Sequence, residues 1–265
     1  MRPRGRPKTK VGALLYALLP WLVIIAVLVA WELFVRLNGI APIYLPAPSS
    51  ILKYLVAMIL DGSLPYNLGV TFLRIIAGFC IAAATGVLVG VAMGMSPLVA
   101  RIIDPWIAAL YPLPKIALIP LLIIWLGTGE TYKIVISAVT AFFPIVISTV
   151  AAIHEVDEGL INAAKDLGAN SSQIQAKIVI PAALPGIFAG LRLGMGVTII
   201  LVVAAEMIGG SSDSGIGYLL IHAGQVMETE KVFAGLIALA VFGAAITSIQ
   251  KRIDVLIAPW VKREP

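Results

Sequence analysis

The chain has 265 residues, of which 60% are hydrophobic and 12% are charged, and its mean hydropathy is +1.02. A typical soluble domain carries about 25% charged residues, and a soluble chain of this length could not bury so much apolar surface in one core. The composition therefore excludes a soluble globular fold and indicates a protein that folds in a lipid bilayer. The net charge is +5, and the single cysteine excludes a disulfide or a cysteine-based metal site within one chain.

Several apolar segments are long enough to cross a bilayer, whose hydrocarbon core of about 30 Å takes roughly 20 residues of helix. In chain order we predict six helices, at about 13–35, 67–95, 105–127, 131–152, 186–208 and 231–250. The expected fold is an all-α integral membrane protein with a transmembrane domain over residues 13–250. A basic tail at 1–12, a loop at 153–185 and a second tail at 251–265 remain outside the bilayer.

Lysine and arginine are distributed unequally between the two sides of this topology. If the N-terminus is cytoplasmic, twelve of the 19 basic residues lie in cytoplasmic segments and four lie outside, with Arg74, Lys115 and Arg192 inside helices. Because cytoplasmic loops of membrane proteins carry an excess of basic residues, both termini are predicted to be cytoplasmic. The basic tail is then a topology signal next to the bilayer, and we expect no nucleic-acid partner.

The second and fifth predicted helices carry small residues at a spacing of four. Those of the second helix are Gly78, Ala82, Gly86, Gly90 and Gly94, and those of the fifth are Gly186, Gly190 and Gly194. Such faces allow helix backbones to approach closely in lipid. They either pack within one subunit or face a second subunit or a transport pathway.

The third predicted helix is interrupted by prolines that include Pro112 and Pro114, with Lys115 directly after them. Proline removes a helix hydrogen bond and kinks the chain, and the freed carbonyl groups in a membrane must face protein or a water-lined cavity. The segment is therefore either part of a transport pathway or a kink that packs against a neighbouring helix. Pro112, Pro114 and Lys115 are candidate pathway residues.

The cytoplasmic loop at 153–185 is predicted to fold as two short helices. Asp157 can cap a helix that runs to Leu167, and Gly168 lies where a left-handed C-terminal residue is favoured. Ser172 and Gln175 form a capping-box pattern for the second helix, which Pro181 and Pro185 are expected to end. The exposed turn at 168–172 either docks on another protein or belongs to a plain amphipathic connector.

Two charged residues, Arg74 and Glu206, are predicted at matching depths near the outer ends of the second and fifth helices. Ionisable groups within a membrane are costly unless they are paired, so they are functional candidates. We predict an ion pair between them that holds an outer gate. The two histidines are isolated in the sequence, and no metal site is expected.

The cytoplasmic loop resembles the "EAA" loop of ABC-importer permeases. Its matching residues are Ala163, Ala164, Gly168, Ile178 and Pro181, with nine residues between Gly168 and Ile178. Asn162 stands where the family has Glu, and Ile180 where it usually has Leu. From Pro46 onward the chain is similar to permeases that import taurine, aliphatic sulfonates, nitrate or bicarbonate, through segments such as Thr71-x-x-Arg74 and Ala204-Ala205-Glu206.

The resemblance implies the fold, partners and site of a type I ABC-importer permease. The fold has six transmembrane helices and cytoplasmic coupling helices, in the plasma (inner) membrane of a prokaryote. The expected partners are a second permease copy, two ABC ATPase subunits and an extracytoplasmic solute-binding protein. The residues implied in coupling to the ATPase are Asn162, Ala163, Ala164, Asp166, Leu167, Gly168, Ala169, Ser171, Ile178 and Pro181.

The chain lacks a phosphate-binding loop of the G-x-x-x-x-G-K-[ST] type. We therefore expect a transporter subunit that is not an enzyme and binds no cofactor, with ATP and magnesium on the partner ATPase. An autonomous secondary carrier would show inverted repeats with paired broken helices, and a membrane enzyme would need a catalytic cluster; neither pattern is found. The expected cargo is a small anion such as a sulfonate, taurine or nitrate, with a neutral or cationic thiamine precursor as the alternative.

Overall fold

The computed structural model describes residues 10–209 and 214–257, and in these ranges the chain is helical and contains no strand. The helices are α1 (Lys10–Leu37), α2 (Pro48–Leu60), α3 (Ser63–Met95), α4 (Pro97–Leu110), a 3₁₀ turn (Lys115–Leu118), α5 (Ile119–Leu126), α6 (Glu130–His154), α7 (Glu158–Asp166), α8 (Ser171–Ile174), a π-helical turn (Gln175–Val179), α9 (Ile180–Ile208), α10 (Ile216–Gln225) and α11 (Thr229–Ile257). The predicted all-α fold is therefore confirmed. Most of the two predicted tails lies outside the described residues, although α11 continues seven residues past the predicted end at 250.

The described helices provide five continuous candidate spans and one broken one. The continuous spans are Leu18–Leu37, Ser63–Met95, Glu130–His154, Ser171–Ile208 and Thr229–Asp254. The pair Pro97–Leu110 and Lys115–Leu126 makes a sixth when it is counted as one span, and its two halves are bent by 87°. The predicted start of the third segment at 105 is wrong, because α4 begins at Pro97; the helix ends at Leu110, just before Pro112 and Pro114, where the sequence predicts an interruption because proline has no N–H to donate.

Helices α3, α6 and α9 form the centre of the fold, with α6 between the other two. A Cβ atom on Gly90 of α3 would overlap the side chain of Thr149, and one on Gly190 of α9 would overlap Ser148. Ile145 of α6 lies against a glycine on each side, Gly86 and Gly194. The small-residue faces of both helices therefore pack against α6 within the same chain, because only a missing side chain lets the backbones approach this closely.

A separate apolar layer lies at the end of the bundle that the topology assigns to the outer side. Helices α2 and α10 pack there against the start of α3 and the first turns of α11, around buried Ile51, Leu64, Ile216 and Leu220. Helix α1 contacts this layer through Glu32, which accepts hydrogen bonds from the Ser49 N–H at 3.0 Å and hydroxyl at 2.8 Å. Most of the side chains of α1 are exposed, so α1 lies at the edge of the bundle.

Candidate functional site

The first candidate site is the turn between α7 and α8, which local chemistry fixes tightly. Asp157 caps α7 as predicted, since its Oδ1 accepts a hydrogen bond from the Gly159 N–H at 2.6 Å. Gly168 has φ of +81°, the left-handed conformation predicted for it, and its N–H donates to the Lys165 carbonyl at 2.9 Å. A β-branched residue is strongly disfavoured at such a φ, so the shape of the turn depends on Gly168.

The second helix of the loop begins two residues earlier than predicted. Its capping box is formed by Asn170 and Gln173: the Gln173 N–H donates to Asn170 Oδ1, and the Asn170 N–H donates to Gln173 Oε1, both at 2.9 Å. The predicted Ser172–Gln175 box is therefore wrong. Asn170 has the extended backbone of an N-cap residue, with φ of −78° and ψ of 165°, whereas Ser172 already lies inside α8.

Pro181 and Pro185 do not end this helix, contrary to the prediction. The chain is helical from Ser171 to Ile208 without a break, with a π-helical turn at Gln175–Val179. Pro181 lies just after this π-helical turn, and such a local adjustment lets a membrane helix continue past a proline, which has no N–H to donate. Packing of the neighbouring residues Ala183 and Ile187 into the inner core holds the helix together across Pro185.

The turn presents some of the predicted coupling residues and buries others. Ala164 lies in the inner apolar core together with Ile153 and Ile174, whereas Leu167 is 89% exposed. Asn162, Ala163, Asp166, Gly168 and Ser171 are also exposed, and Ala169, Ile178 and Pro181 are half-buried. An open depression of about 350 Å³ is lined by Leu167, Gly168, Ala169, Gln173, Lys177 and Ile178. The buried residues hold the helix pair to the bundle, so its exposed turn can act as a rigid projection.

The second candidate site is a buried group of charges at the outer ends of α3, α6 and α9. Arg74 Nη1 donates to Glu206 Oε1 at 2.6 Å, so the two residues predicted to pair are in contact. The same guanidinium donates from Nε and Nη2 to Glu130 at 2.5 and 2.6 Å. Arg74 is only 2% exposed. Arg74 therefore joins three helices that are far apart in the sequence.

Glu206 is surrounded by hydrogen-bond donors. Thr71 Oγ1 donates to its two carboxylate oxygens at 2.9 and 3.0 Å, and the Gly217 N–H donates to Oε2 at 2.9 Å. Thr71 Oγ1 in turn accepts from the Ile216 N–H at 2.9 Å. Glu206 thus holds the start of α10 against α3 and α9 as well as pairing with Arg74.

Sequence reasoning missed two members of this group, Glu130 and Lys133. Lys133 is fully buried, with its Nζ 3.6 Å from Glu130 Oε1, although the topology had counted it among the outer basic residues. A spacing of three in a helix was the available signal, because residues i and i+3 lie on one face. Thr71, Arg74, Glu130, Lys133 and Glu206 are together called the outer ion cluster below.

Lys115, at the proline-rich break, does not have a free ammonium group. Its Nζ donates to the Leu110 carbonyl at 3.0 Å and also to the Tyr111 carbonyl, and it lies 4.6 Å from the centre of the Phe143 ring. These carbonyls lie at the C-terminal end of α4, where the Leu110 carbonyl also accepts from the Leu113 N–H at 3.3 Å, and the ammonium group stabilises the break. Pro112 and Pro114 are exposed beside it. Lys115 makes no hydrogen bond with Arg74 or Glu206 in the structure, and its role in a pathway stays a prediction.

The fold is that of a type I importer permease. Two inward-facing structures of the MetNI methionine ABC transporter are similar to this chain at 25% identity. One has a TM-score of 0.57 and covers 76% of this chain and 97% of its own, and the other has a TM-score of 0.53, with 75% and 95% covered. Residues 82–259 match the family "Binding-protein-dependent transport system inner membrane component", and the chain belongs to it.

Three relatives extend the similarity over most of the chain. The taurine transport system permease protein TauC of Escherichia coli (strain K12) is 34% identical over 88% of this chain and 86% of its own length. The putative aliphatic sulfonates transport permease protein SsuC of Bacillus subtilis (strain 168) is 34% identical over 96% and 91%. The nitrate import permease protein NrtB of Synechococcus elongatus is 29% identical over 90% and 85%. The predicted ABC-importer permease, an inner-membrane component, is therefore confirmed, and a secondary carrier is not favoured.

Proposed function

We propose that this permease forms the passage for a small anion, such as a sulfonate, taurine, nitrate or a related oxyanion. The observation that carries the proposal is the 34% identity to a taurine permease over 88% of the chain. Relatives named for aliphatic sulfonates and nitrate have similar coverage. These three cargoes share a compact negatively charged oxygen group, and a neutral or cationic thiamine precursor is not favoured by any of them.

The proposed assembly is a homodimer of permeases with two ATPase subunits and one extracytoplasmic binding protein. ATP and magnesium bind to the ATPase subunits, and this chain binds no cofactor. Both termini are proposed to be cytoplasmic, as the distribution of Lys and Arg indicates. The family description, which names a binding-protein-dependent system, supports the partners, while the copy number is our proposal.

The proposed coupling route runs along one helix. The helix Ser171–Ile208 begins at the exposed turn beside Gly168 and carries Glu206 of the outer ion cluster near its other end. A displacement of the turn by the ATPase would therefore move a helix that packs closely against α6 through Gly186, Gly190 and Gly194. Interiors packed this closely transmit displacement and do not absorb it, which suits alternating access between inward- and outward-open states.

Purification and reconstitution test the proposal. The tagged chain is expressed with the ATPase and binding protein encoded beside it, and stoichiometric co-purification is expected. Reconstituted vesicles should take up an alkanesulfonate, taurine or nitrate only with ATP and the loaded binding protein. Uptake by this chain alone would refute the importer assembly, and a binding protein that captures a neutral heterocycle instead of an anion would refute the cargo.

A further inference from the structure

We propose that Glu130 is a positioning residue of the transport cycle. It is the releasable half of the outer ion cluster and holds the outer end of α6 against α3 while the outer gate is closed. This inference rests on the proposed function, because a gate acts only in a transporter. The two carboxylates that bind Arg74 then have different roles. The contact between Glu206 and the guanidinium persists, and the contact between Glu130 and the guanidinium breaks when the gate opens.

The two carboxylates differ in their access to water. The Glu206 side chain is 0% exposed and that of Glu130 is 53% exposed, although both bind an arginine that is 2% exposed. Releasing Glu206 would leave a buried charge without its partner, which is strongly unfavourable. Water can replace Arg74 as the partner of the half-exposed Glu130 carboxylate, so only the arginine stays buried when this pair opens, whereas both groups are buried in the pair with Glu206.

Glu130 also stands at a corner of the chain with room to move. It is the first residue of α6 and follows a connection that contains Gly127, with φ of +76°, and Gly129. A Cβ atom at either glycine would meet no other atom within 4 Å, so this connection is loosely surrounded. It links α6 to α5, the second half of the broken span. Glu130 therefore fastens the outer end of a bent segment to α3.

Arg74 keeps partners when Glu130 leaves. Its Nη1 remains bound to Glu206, and it also donates to the Ser214 carbonyl at 3.0 Å. Two residues after Glu130, the Tyr132 hydroxyl donates to the Ala205 carbonyl at 2.9 Å and ties α6 to α9. Opening at Glu130 can thus be confined to the surface end of the cluster, while α3, α6 and α9 stay packed.

The test compares Glu130→Gln with Glu228→Gln. Glu228 is a matched control, since it pairs with Lys231 three residues later at 2.7 Å and its side chain is 43% exposed. The amide removes the charge and one acceptor from Arg74 at little cost in size. The first measurement is hydrogen–deuterium exchange of residues 127–133 in the permease in lipid nanodiscs. The second is ATPase activity of the full complex without binding protein.

For Glu130→Gln we expect exchange at 127–133 to rise about three- to tenfold. We call the contact between Glu130 and Arg74 the latch. The basal ATPase activity of the complex should increase by a similar factor, because loss of the latch shifts the equilibrium towards the outward-open state. Glu228→Gln should change neither quantity. Unchanged exchange in Glu130→Gln overturns the proposal, as does a loss of thermal stability as large as that of Glu206→Gln.

The exchange measurement separates this inference from the proposed function, because it needs neither ATP nor a partner. If the wild-type complex shows no ATPase stimulation by its binding protein, the proposed function fails. In that case the latch's role in transport is overturned as well, and a positive exchange result shows a structural contact only. If the wild type is stimulated and Glu130→Gln behaves like Glu228→Gln, the function stands and the latch alone is wrong.

Discussion

Replacing Glu206 with glutamine should destabilise the protein far more than the similar size of the two side chains suggests. Three donor hydrogens surround the carboxylate: Arg74 Nη1 donates to Oε1, the Gly217 N–H donates to Oε2, and the single Thr71 hydroxyl hydrogen is shared between the two oxygens. An amide presents one NH₂ group, which must face a donor in either orientation. Thr71 can turn its hydroxyl to accept one bond, but Arg74 or the Gly217 N–H is then left facing a donor.

The magnitude follows from what is lost. A hydrogen bond to a charged group contributes about 1.5–3 kcal/mol, and a buried unsatisfied donor costs about 1–3 kcal/mol. Breaking one side of a buried pair costs roughly 3–5 kcal/mol, and we expect Glu206→Gln to fall in this range. Arg74→Met should cost a similar amount, because it leaves Glu206 buried without its guanidinium. The double variant Arg74→Met/Glu206→Met should cost less than the sum, with a coupling of at least about 1 kcal/mol.

The assay is unfolding of the permease by SDS titration from lipid–detergent micelles, monitored by the loss of helicity. Glu228→Gln removes the same charge from an exposed pair and should change the free energy of unfolding by less than about 1 kcal/mol. Additive effects of Arg74→Met and Glu206→Met would show that the two side chains do not interact in the folded protein. A Glu206→Gln variant as stable as the wild type would refute the donor-rich environment described for this carboxylate.

Three further predictions address the coupling turn, the proline break and the helix packing. Gly168→Val should abolish ATPase association or its coupling to transport, since φ is +81° at this residue and valine is disfavoured there. Gly62→Val is the control, because it introduces the same strain at φ of +80° on the predicted outer side. An equal loss of coupling in Gly62→Val would contradict the docking role of the turn. Lys115→Met should slow anion uptake while assembly and basal ATPase activity persist. Lys115→Arg keeps the positive charge and should retain uptake. Normal uptake by Lys115→Met would contradict the prediction that this lysine attracts the transported anion. Gly90→Leu should destabilise the fold by about 1–3 kcal/mol because its Cβ would overlap Thr149, and Gly243→Leu, where a Cβ meets nothing within 4 Å, should unfold like the wild type.

The sequence was informative wherever a local or compositional preference decides the structure. Hydropathy located the spans, because every backbone polar group in lipid must be satisfied within a helix. The left-handed Gly168 and the Asp157 cap were predictable from residues a few positions apart. The contact between Arg74 and Glu206 could be expected because two charges at one depth in a membrane stabilise each other.

Two of the corrections come from the packing and the bend of helices, which the sequence interpretation did not include. Pro185 interrupts a hydrogen bond but does not end α9, since packing of Ile187 into the inner core outweighs the local preference. Lys115 lies in the predicted break, yet its ammonium binds carbonyl groups at the end of α4, because the 87° bend turns it back there.

The places of Glu130 and Lys133 beside Arg74 and Glu206 were decided by the tertiary structure. Glu130 and Arg74 are 56 residues apart. Glu130 and Lys133 stand at the start of an apolar run, where the sequence alone would equally allow both side chains to face the outer solvent. Hydropathy gives the depth of each residue in the bilayer but not the rotation of its helix about its own axis. That rotation is set by the glycine faces of α3 and α9 against α6; it turns Glu130 towards Arg74 and buries Lys133 beside Glu130.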